Sequence, residues 1–409
     1  MIPGLDSLVP NSIGYLLFAA ALVLLAWSPL RQWFVHGLSV AGLVVVLSWL
    51  SPPDVLALIV FMAIPYIAAV RVWGRKEMFG GSVAGLVLAW QIVLFLVVKR
   101  YAWFDILGVL DHPVSIIGVS YIMFRQIHLI VDAPFAGHLP FGIVRYIAFT
   151  LSPWTLIAGP IQRYDAFCKG IDDVRRPDTA DVRKDSHRIV NGLIKAFVIA
   201  PVFLEPSRVA TLALPDATVW DLLIVFYGYP VYLYLNFSGY VDIVIGAARL
   251  TGFTTLPENF NRPYLARNPA DFWTRWHMSF GVWVRHYVFT PLSTRLVKHA
   301  PARWGGAMMA LAVMITFYLV GAWHGTTSNF IVFGLLQGAG VVVSSAFGKA
   351  LRRRLGGDKY KRLNAQPVIH WASVFLCFHF TCATFMVLNN SAEEITNALA
   401  TFLFQAPAF

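Results

Sequence analysis

Residues 305–347 read GGAMMALAVMITFYLVGAWHGTTSNFIVFGLLQGAGVVVSSAF and contain two apolar runs, at 305–321 and 328–347, that are separated by a short polar segment. Each run is long enough for a helix to cross the roughly 30 Å of hydrocarbon in a bilayer. Because backbone groups at that depth have no water to bind, they must pair within the segment, so the α-helix is the default structure. This stretch therefore predicts two membrane-spanning helices joined by a tight connection.

The rest of the 409-residue chain has the same character. Hydrophobic residues make up 58% and charged residues 13%, and the mean hydropathy is +0.64, whereas soluble domains contain about 25% charged residues. This composition excludes a cytosolic enzyme, a disordered protein and a disulfide-stapled secreted module. Further apolar runs, among them 12–30, 103–124 and 139–159, bring the expected number of spans to about eleven. The alternation typical of a membrane β-barrel is missing from them. The predicted fold class is an all-α polytopic membrane protein with additional re-entrant or interfacial helices.

The net charge of +11 favours contact with anionic membrane lipids. Nucleic acid is not an expected partner, because the basic residues are scattered between apolar runs and form no single face. Lys349–Arg362 contains seven basic residues and one acidic residue, which predicts a cytoplasmic position, while Met1–Asn11 has no basic residue and is expected outside. Counting back through the two spans at 305–347 places Arg295, Lys298 and Arg303 on the cytoplasmic side.

The segment 256–303 differs from the rest because it is polar, aromatic and rich in arginine and has no long apolar run. Three prolines break its first part, and a Trp- and Arg-rich stretch follows that includes Arg275, Trp276 and Arg285. Aromatic residues favour the membrane interface, so this stretch predicts an amphipathic helix at the cytoplasmic surface. Just before the segment, Asp242 lies within an apolar run, where a carboxylate is expected to face the protein interior and to be functional or paired.

Two histidines are candidate catalytic groups. His324, between Trp323 and Gly325, lies near the outer end of a span, where burial keeps the imidazole neutral and therefore able to act as a general base. A hydrogen-bonded histidine of the bundle is the alternative for His324, and a residue at the interface is the alternative for His277. His128 is a candidate for lining a cavity. No metal-ligand spacing is found in the sequence, the three cysteines predict packing residues, and no nucleophilic serine motif occurs.

The sequence resembles the membrane-bound O-acyltransferase family, with most of residues 115–340 matching in the family's order. The resemblance is to the bacterial polysaccharide-modifying branch, which includes the D-alanyl transfer protein of teichoic acid modification, the alginate O-acetylases and the peptidoglycan O-acetylases. One departure is Arg285-His286-Tyr287, where the family usually has an acid at the second position, so no role of that acid transfers to this chain. The motifs that show the resemblance are GVSYIMFRQIHLIVD (118–132), LIAGPIQRYDAF (156–167), FSGYVDIVIGAARLTGF (237–253), PENFNRPY (257–264), DFWTRWHMSFGVWVRHYVF (271–289) and GAWHGTTSNFIVFGLLQG (321–338).

The resemblance implies a ring of helices around a thin centre with a tunnel through the membrane. It implies one membrane domain over 1–409, with peripheral helices at 1–100, a catalytic core at 101–345 and basic C-terminal helices at 346–409. By this resemblance His324 occupies the position of the catalytic histidine, and His277 is the second functional histidine, in the motif RWH. In the mechanism expected for this chain, His277 orients the thioester or donates to the developing oxyanion.

The resemblance also implies substrates and partners. The donor is a thioester on the phosphopantetheine of an acidic cytoplasmic carrier protein, or acyl-CoA, and no cofactor is bound. D-alanyl is favoured over acetyl because the chain has the length of the D-alanyl branch. The acceptor is a hydroxyl of an extracytoplasmic glycopolymer or a lipid-linked acceptor, with a partner transferase as an option, and the location is the bacterial inner membrane. The candidates for contact with the substrates or the tunnel are His128, Asp242, Arg275, Trp276, Arg285 and Trp323, with Asn259 and Asn261 as weaker polar candidates. The candidates for carrier docking are Arg295, Lys298 and Arg303.

Two other classes remain open at the level of the sequence. A transporter or channel would use broken helices and an intramembrane carboxylate such as Asp242. A non-catalytic scaffold would bind the carrier protein without transferring the acyl group. Substitution of His324 separates them, because only an enzyme must lose turnover.

Overall fold

A computed structural model describes residues 21–47, 50, 52–78, 81–98, 118–325 and 327–405, and no strand occurs among them. Short 3-10 turns connect several helices, and two π-helical turns, Ile194–Ile199 and Arg285–Phe289, interrupt others. The helices in chain order are α1 (Phe34–Leu47), α2 (Pro52–Val72), α3 (Ser82–Val98), α4 (Val119–Asp132), α5 (Ile143–Thr150), α6 (Tyr164–Asp172), α7 (Thr179–Leu193), α8 (Ala200–Leu204), α9 (Val219–Leu250), α10 (Pro269–Trp273), α11 (Met278–Val284), α12 (Thr290–Lys298), α13 (Gly305–His324), α14 (Ser328–Leu355), α15 (Gly357–Ala365), α16 (Pro367–Asn389) and α17 (Ala392–Gln405).

The predicted class, an all-α polytopic membrane protein, is confirmed. Within the described part of the chain, seven helical segments are long and apolar enough to cross a membrane. The expected total of eleven and the tunnel stay predictions, and the expected spans at 12–30 and 103–124 lie partly outside the described residues. The seven segments are Pro29–Leu47, Asp54–Val72, Thr179–Ala213, Val219–Leu250, Ala302–His324, Ser328–Leu355 and Pro367–Asn389.

The span expected at 139–159 is not a single crossing helix. Only the eight residues of α5 are helical, and turns follow them. Pro153 explains the end of the helix, because a proline disfavours helical geometry in the residue before it and has no N–H to donate. The apolar residues of this segment are buried within the protein: Tyr146, Phe149 and Trp154 are each 1% exposed.

The helices group into two compact units. Within the described part of the chain, unit A covers residues 191–240 and 258–405, and unit B covers residues 21–190 and 241–257. The division of the chain at residues 100 and 345, expected from the sequence, stays a prediction.

In unit B, a proline in the middle of α2 leaves one backbone carbonyl of the helix without its usual hydrogen-bond donor. Pro65 has no N–H, so the carbonyl of Phe61, one turn earlier, lacks its helical partner. The side-chain Nε2 atoms of Gln91 on α3 and Gln126 on α4 donate to this carbonyl at 3.0 and 3.1 Å. Gln126 also donates to the Tyr146 hydroxyl of α5 at 2.9 Å. The lost helical bond is thus replaced by contacts that tie three further helices to α2.

The intramembrane carboxylate Asp242 is paired. Its Oδ1 accepts from Arg188 Nε at 2.9 Å, and a second pair, Arg249 with Asp185 at 3.8 Å, joins the same two helices, α7 and α9. Between the two pairs, a Cβ on Gly246 would lie 2.6 Å from the Ile189 side chain, so the helices are in close contact there. The opposite charges on the two helices compensate each other in a place where a lone charge would be costly.

In unit A, the two helices of the opening stretch pack backbone against backbone. A Cβ on Gly321 of α13 would lie 2.4 Å from the Phe330 carbonyl, and one on Gly334 of α14 would lie 2.3 Å from the Phe317 carbonyl. Only glycine fits at both positions, which is the close approach that small residues permit between membrane helices. The pair therefore fixes the register of α13 against α14.

A buried polar chain connects α14 to its other neighbours. Gln337, 1% exposed, accepts from Trp273 Nε1 at 3.1 Å and donates to the Thr384 hydroxyl at 2.7 Å. Each member of the chain has a partner, so burial of these polar groups is not penalised. This chain attaches α10 and α16 to α14.

We expect the double substitution Gln91→Leu, Gln126→Leu to lower the free energy of unfolding by about 1–3 kcal/mol, the usual cost of an unsatisfied buried polar group. Adding Pro65→Ala restores an N–H to α2 and should recover part of that loss. Unfolding in detergent, with Pro65→Ala alone as the control for the change in helix propensity, measures the coupling between the sites. Strict additivity of the three substitutions would show that the Phe61 carbonyl is not the shared partner.

Candidate functional site

The amphipathic helix predicted after residue 270 is interrupted. Asn268 caps α10 by accepting the Asp271 N–H at 2.9 Å, and the chain then turns at 274–277 before α11 begins. His277 stands at the turn with φ 44° and ψ 53°, in the left-handed region that non-glycine residues rarely adopt. Such a conformation persists only where the surroundings over-determine it, and it is common at functional sites.

Asn259 holds this turn in place. Its backbone carbonyl accepts the Met278 N–H at 2.9 Å, and its side-chain Oδ1 accepts from the Ser279 N–H at 3.1 Å and from the Ser279 hydroxyl at 2.7 Å. The same Oδ1 lies 3.3 Å from His277 Nδ1. Since the backbone N–H of Ser279 can only donate, the atom facing His277 is the amide oxygen, and Nδ1 must be the donor in that contact. The hydrogen of the neutral ring is therefore on Nδ1, and the lone pair is on Nε2.

His277 is deeply buried among aromatic rings. It is 5% exposed and lies outside the membrane-spanning helices, between Val219–Leu250 and Ala302–His324. Phe237 meets its ring edge to face at 4.9 Å between centroids, and Phe280 stacks on it at 5.1 Å. Burial, with a smaller contribution from the charge of nearby His324, lowers the pKa of His277 from 6.5 to about 3. The imidazole is thus neutral at physiological pH.

A continuous row of aromatic rings connects the two histidines. Phe280, stacked on His277, also stacks on Trp323 at 4.6 Å between centroids, and Trp323 contacts His324 at 4.6 Å. On the other side, His324 lies 6.0 Å from Phe333 of α14. His324 is the last residue of α13 and is half-buried. The close packing of α13 and α14 therefore fixes the place of His324 in unit A, and the rings fix its position relative to His277.

Two of the predicted site residues, Arg275 and Trp276, make contacts that stabilise the chain around His277. Trp276 is 6% exposed and packs among rings that include Phe272 and Phe385, at 5.6 and 5.3 Å between centroids. Arg275 forms an ion pair with Asp271 at 2.8 Å. Burial by itself raises the pKa of Asp271. Hydrogen bonds from Arg275 and from the Arg267 backbone outweigh this effect, so the pKa lies below its ordinary value and the carboxylate stays ionised. These residues stabilise the segment that carries His277.

Exposed residues form a second group. The side chains of Asn261 and Arg285 are exposed, and the backbone N–H of Asn261 donates to the Arg275 carbonyl at 2.9 Å. The three basic residues proposed for carrier docking, Arg295, Lys298 and Arg303, are exposed as well.

The remaining candidates belong to unit B. His128 is completely buried on α4 and meets Phe149 edge to face at 5.3 Å. Asp242 is the ion-paired carboxylate described above. Within the described part of the chain, no group of three His, Cys, Asp or Glu side chains is arranged to hold a metal ion.

Sequence reasoning missed the residues that support the two histidines. Ser279 and Phe280 follow His277 by two and three positions, and Asp271 precedes the turn. A signal existed for Phe280, since a residue three positions from His277 on a helix lies on the same face. No local signal identifies the Asn259–Ser279 contact, because twenty residues separate its partners.

Comparison with known proteins shows where the chain has relatives. The model of the membrane-bound O-acyltransferase family matches residues 140–387. A teichoic acid D-alanyltransferase of Bacillus subtilis is 29% identical over 287 residues, which are 68% of this chain and 70% of that protein. A second one, from Streptococcus thermophilus, is 25% identical over 69% of this chain and 70% of its own length. A probable alginate O-acetylase of Pseudomonas syringae is 30% identical over 66% of this chain, and the match covers 48% of that longer protein.

The depressed pKa of His277 predicts a dependence of stability on pH. The unfolded state binds a proton on this ring near pH 6.5 and the folded state only near pH 3, so the free energy of unfolding should fall as the pH drops through this window. We expect His277→Asn, whose amide can keep the bond to Asn259, to have a flatter profile between these two pH values. Thermal unfolding in detergent over a pH series measures the difference. Parallel profiles of the two proteins would contradict a buried neutral His277.

Proposed function

The chain belongs to the membrane-bound O-acyltransferase family and is a membrane acyltransferase, and we propose that it transfers an acyl group from a cytoplasmic thioester to a hydroxyl of an extracytoplasmic glycopolymer or lipid-linked acceptor. D-alanyl is the favoured group and acetyl the next. The observation that carries the proposal is the row of rings that joins two histidines, one buried and neutral and one half-buried at a helix end. Two imidazoles held at fixed positions suit a reaction that needs proton transfer without a metal.

In the proposed reaction, His324 removes the proton of the acceptor hydroxyl as its oxygen attacks the thioester carbonyl. A C–O bond forms and the C–S bond breaks. The leaving thiolate takes the proton from the imidazolium of His324, which returns the site to its starting state. No covalent acyl-enzyme is needed, and the main gain is that both reactants are held together.

The proposed donor is carried on the phosphopantetheine arm of an acidic carrier protein, with acyl-CoA as the alternative. The last turn of α12 presents Arg295 and Lys298, and Arg303 follows after a short turn. Trp304, 52% exposed, and Val297, 37% exposed, place apolar surface beside these charges. Positive charge around an apolar contact favours encounter with an acidic partner. This surface, defined by Arg295, Val297, Lys298, Arg303 and Trp304, is named the basic docking surface.

The proposed location is the bacterial inner membrane, with the basic docking surface in the cytoplasm. The expected outside position of the N-terminus concerns Met1–Asn11, which lie outside the described residues. The acceptor glycopolymer and an extracytoplasmic partner transferase are also part of the proposal. A transporter gains no support, because the carboxylate that favoured it, Asp242, is ion-paired with Arg188.

The first test is acyl transfer in proteoliposomes with radiolabelled D-alanyl and acetyl groups on carrier protein, and acetyl-CoA as a third donor. We expect the wild type to consume one donor, and His324→Ala to reduce turnover by about 100-fold or more, the usual contribution of general acid–base catalysis. His138→Ala, at an exposed histidine of unit B, is the control and should keep its turnover. Full turnover of His324→Ala would refute the proposed role, and carrier binding without transfer by the wild type would favour a scaffold.

The second test concerns the docking of the carrier. Reversing the charge at Arg295, Lys298 and Arg303 to Glu should lower the association rate at least about tenfold at low salt, because electrostatic steering is lost, and the difference should shrink as salt increases. The matched control carries the same change at three exposed basic residues of α15: Lys359, Lys361 and Arg362. Surface plasmon resonance on nanodiscs measures both rates. Equal losses in the two triple variants would show that only net charge matters, and not the basic docking surface.

A further inference from the structure

The contacts of Asn259 specify the chemical form of His277. The amide oxygen receives three donors at once: the Ser279 N–H, the Ser279 hydroxyl and the His277 Nδ1–H. The residue is completely buried, so water does not compete for this oxygen. A ring that rotated, or that carried its hydrogen on Nε2, would place a lone pair against the amide oxygen, which is repulsive.

The choice of asparagine at position 259, and not aspartate, bears on the charge of His277. Asn259 Nδ2 is buried and has no hydrogen-bond partner among the described residues. An aspartate would satisfy the same three donors without leaving a buried N–H unpaired, but its charge would favour the protonated imidazolium. Asparagine accepts the three hydrogen bonds and leaves the ring neutral.

We propose that Asn259 is the positioning residue of His277, which holds the ring as the Nδ1–H tautomer so that Nε2 accepts a hydrogen bond from an N–H or O–H group of the substrates. This inference rests on the proposed acyl transfer and deepens it. It revises the expected role of His277 as an oxyanion donor, since a neutral ring with its hydrogen on Nδ1 has no N–H to offer from Nε2. Asn259 itself acts through His277 and is not a substrate contact in this proposal.

The groups around the His277 imidazole support a role that depends on the orientation of this ring. Phe237 of α9 and Phe280 of α11 both contact the imidazole ring, and neither can donate or accept a conventional hydrogen bond. His324 of α13 is the titratable group whose charge acts on His277 in the structure. Asn259 therefore provides a hydrogen bond that favours the Nδ1–H tautomer, which the rings of Phe237 and Phe280 cannot provide.

Two variants separate orientation from charge. Asn259→Leu has a similar size and removes the acceptor, so kcat should fall about tenfold to 100-fold, with KM changed less than about twofold. Asn259→Asp restores the acceptor and should recover most of kcat at high pH. Its carboxylate raises the pKa of His277, so the acidic limb of the pH–rate profile should move to higher pH. Asn397→Leu, on the exposed face of α17, controls for the substitution itself.

Nitrogen-15 NMR of histidine-labelled protein reads the tautomer without any need for activity, because protonated and unprotonated ring nitrogens have distinct shifts. The His277 signals are assigned by difference with His277→Asn. We expect a protonated Nδ1 in the wild type and in Asn259→Asp, and a mixture of tautomers or a protonated Nε2 in Asn259→Leu.

A protonated Nδ1 that persists in Asn259→Leu would overturn the proposal, as would a loss confined to KM. If the tautomer responds as expected but the wild type transfers no acyl group, the proposed function fails while the structural assignment stands. If transfer occurs and Asn259→Leu has full kcat, only the positioning role fails.

Discussion

One oxygen atom, Oδ1 of Asn259, holds the turn that positions His277. Three donors from the segment 277–279 converge on it, and the backbone carbonyl of the same residue accepts a fourth hydrogen bond. The left-handed conformation of His277 is tolerable because these bonds compensate its cost. In this position His277 stacks on Phe280. Phe280 in turn stacks on Trp323, which is next to His324 in the chain.

The same rule, that buried polar groups must be paired, shapes both units. In unit B a proline removes one helical hydrogen bond, and two glutamines replace it. Asp242 on the long apolar helix α9 and Asp185 on α7 each meet an arginine on the facing helix. In unit A the chain from Trp273 through Gln337 to Thr384 performs the corresponding task. Where hydrocarbon offers no hydrogen bonds, such pairings decide which helices become neighbours.

The sequence was sufficient for the fold class and the family, because both depend on signals that are local. Apolar length identified the spans around Val219–Leu250 and Ser328–Leu355, and the family motifs at 271–289 and 321–338 contain the two candidate histidines. The α5 region was predicted wrongly as a span, since burial in protein and burial in lipid demand the same apolar residues. Arg275 and Trp276 stood out by type, yet their contacts, an ion pair and a ring cluster, depend on partners that no motif specifies. The role of Asn259 depends on a contact across about twenty residues, which spacing alone does not reveal.

The contact of Gly321 with Gly334 fixes how far α13 and α14 are shifted along each other. Two helices that touch through backbone atoms have no side chains that could yield, so one cannot slide along the other by a fraction of a turn. Gly334 follows Gly321 by thirteen positions, and the interval between them contains His324, at the end of α13, and the connection to α14. An insertion or deletion inside this interval would therefore shift His324 relative to its row of rings. The length of this interval, more than its composition, therefore sets the position of His324 in unit A.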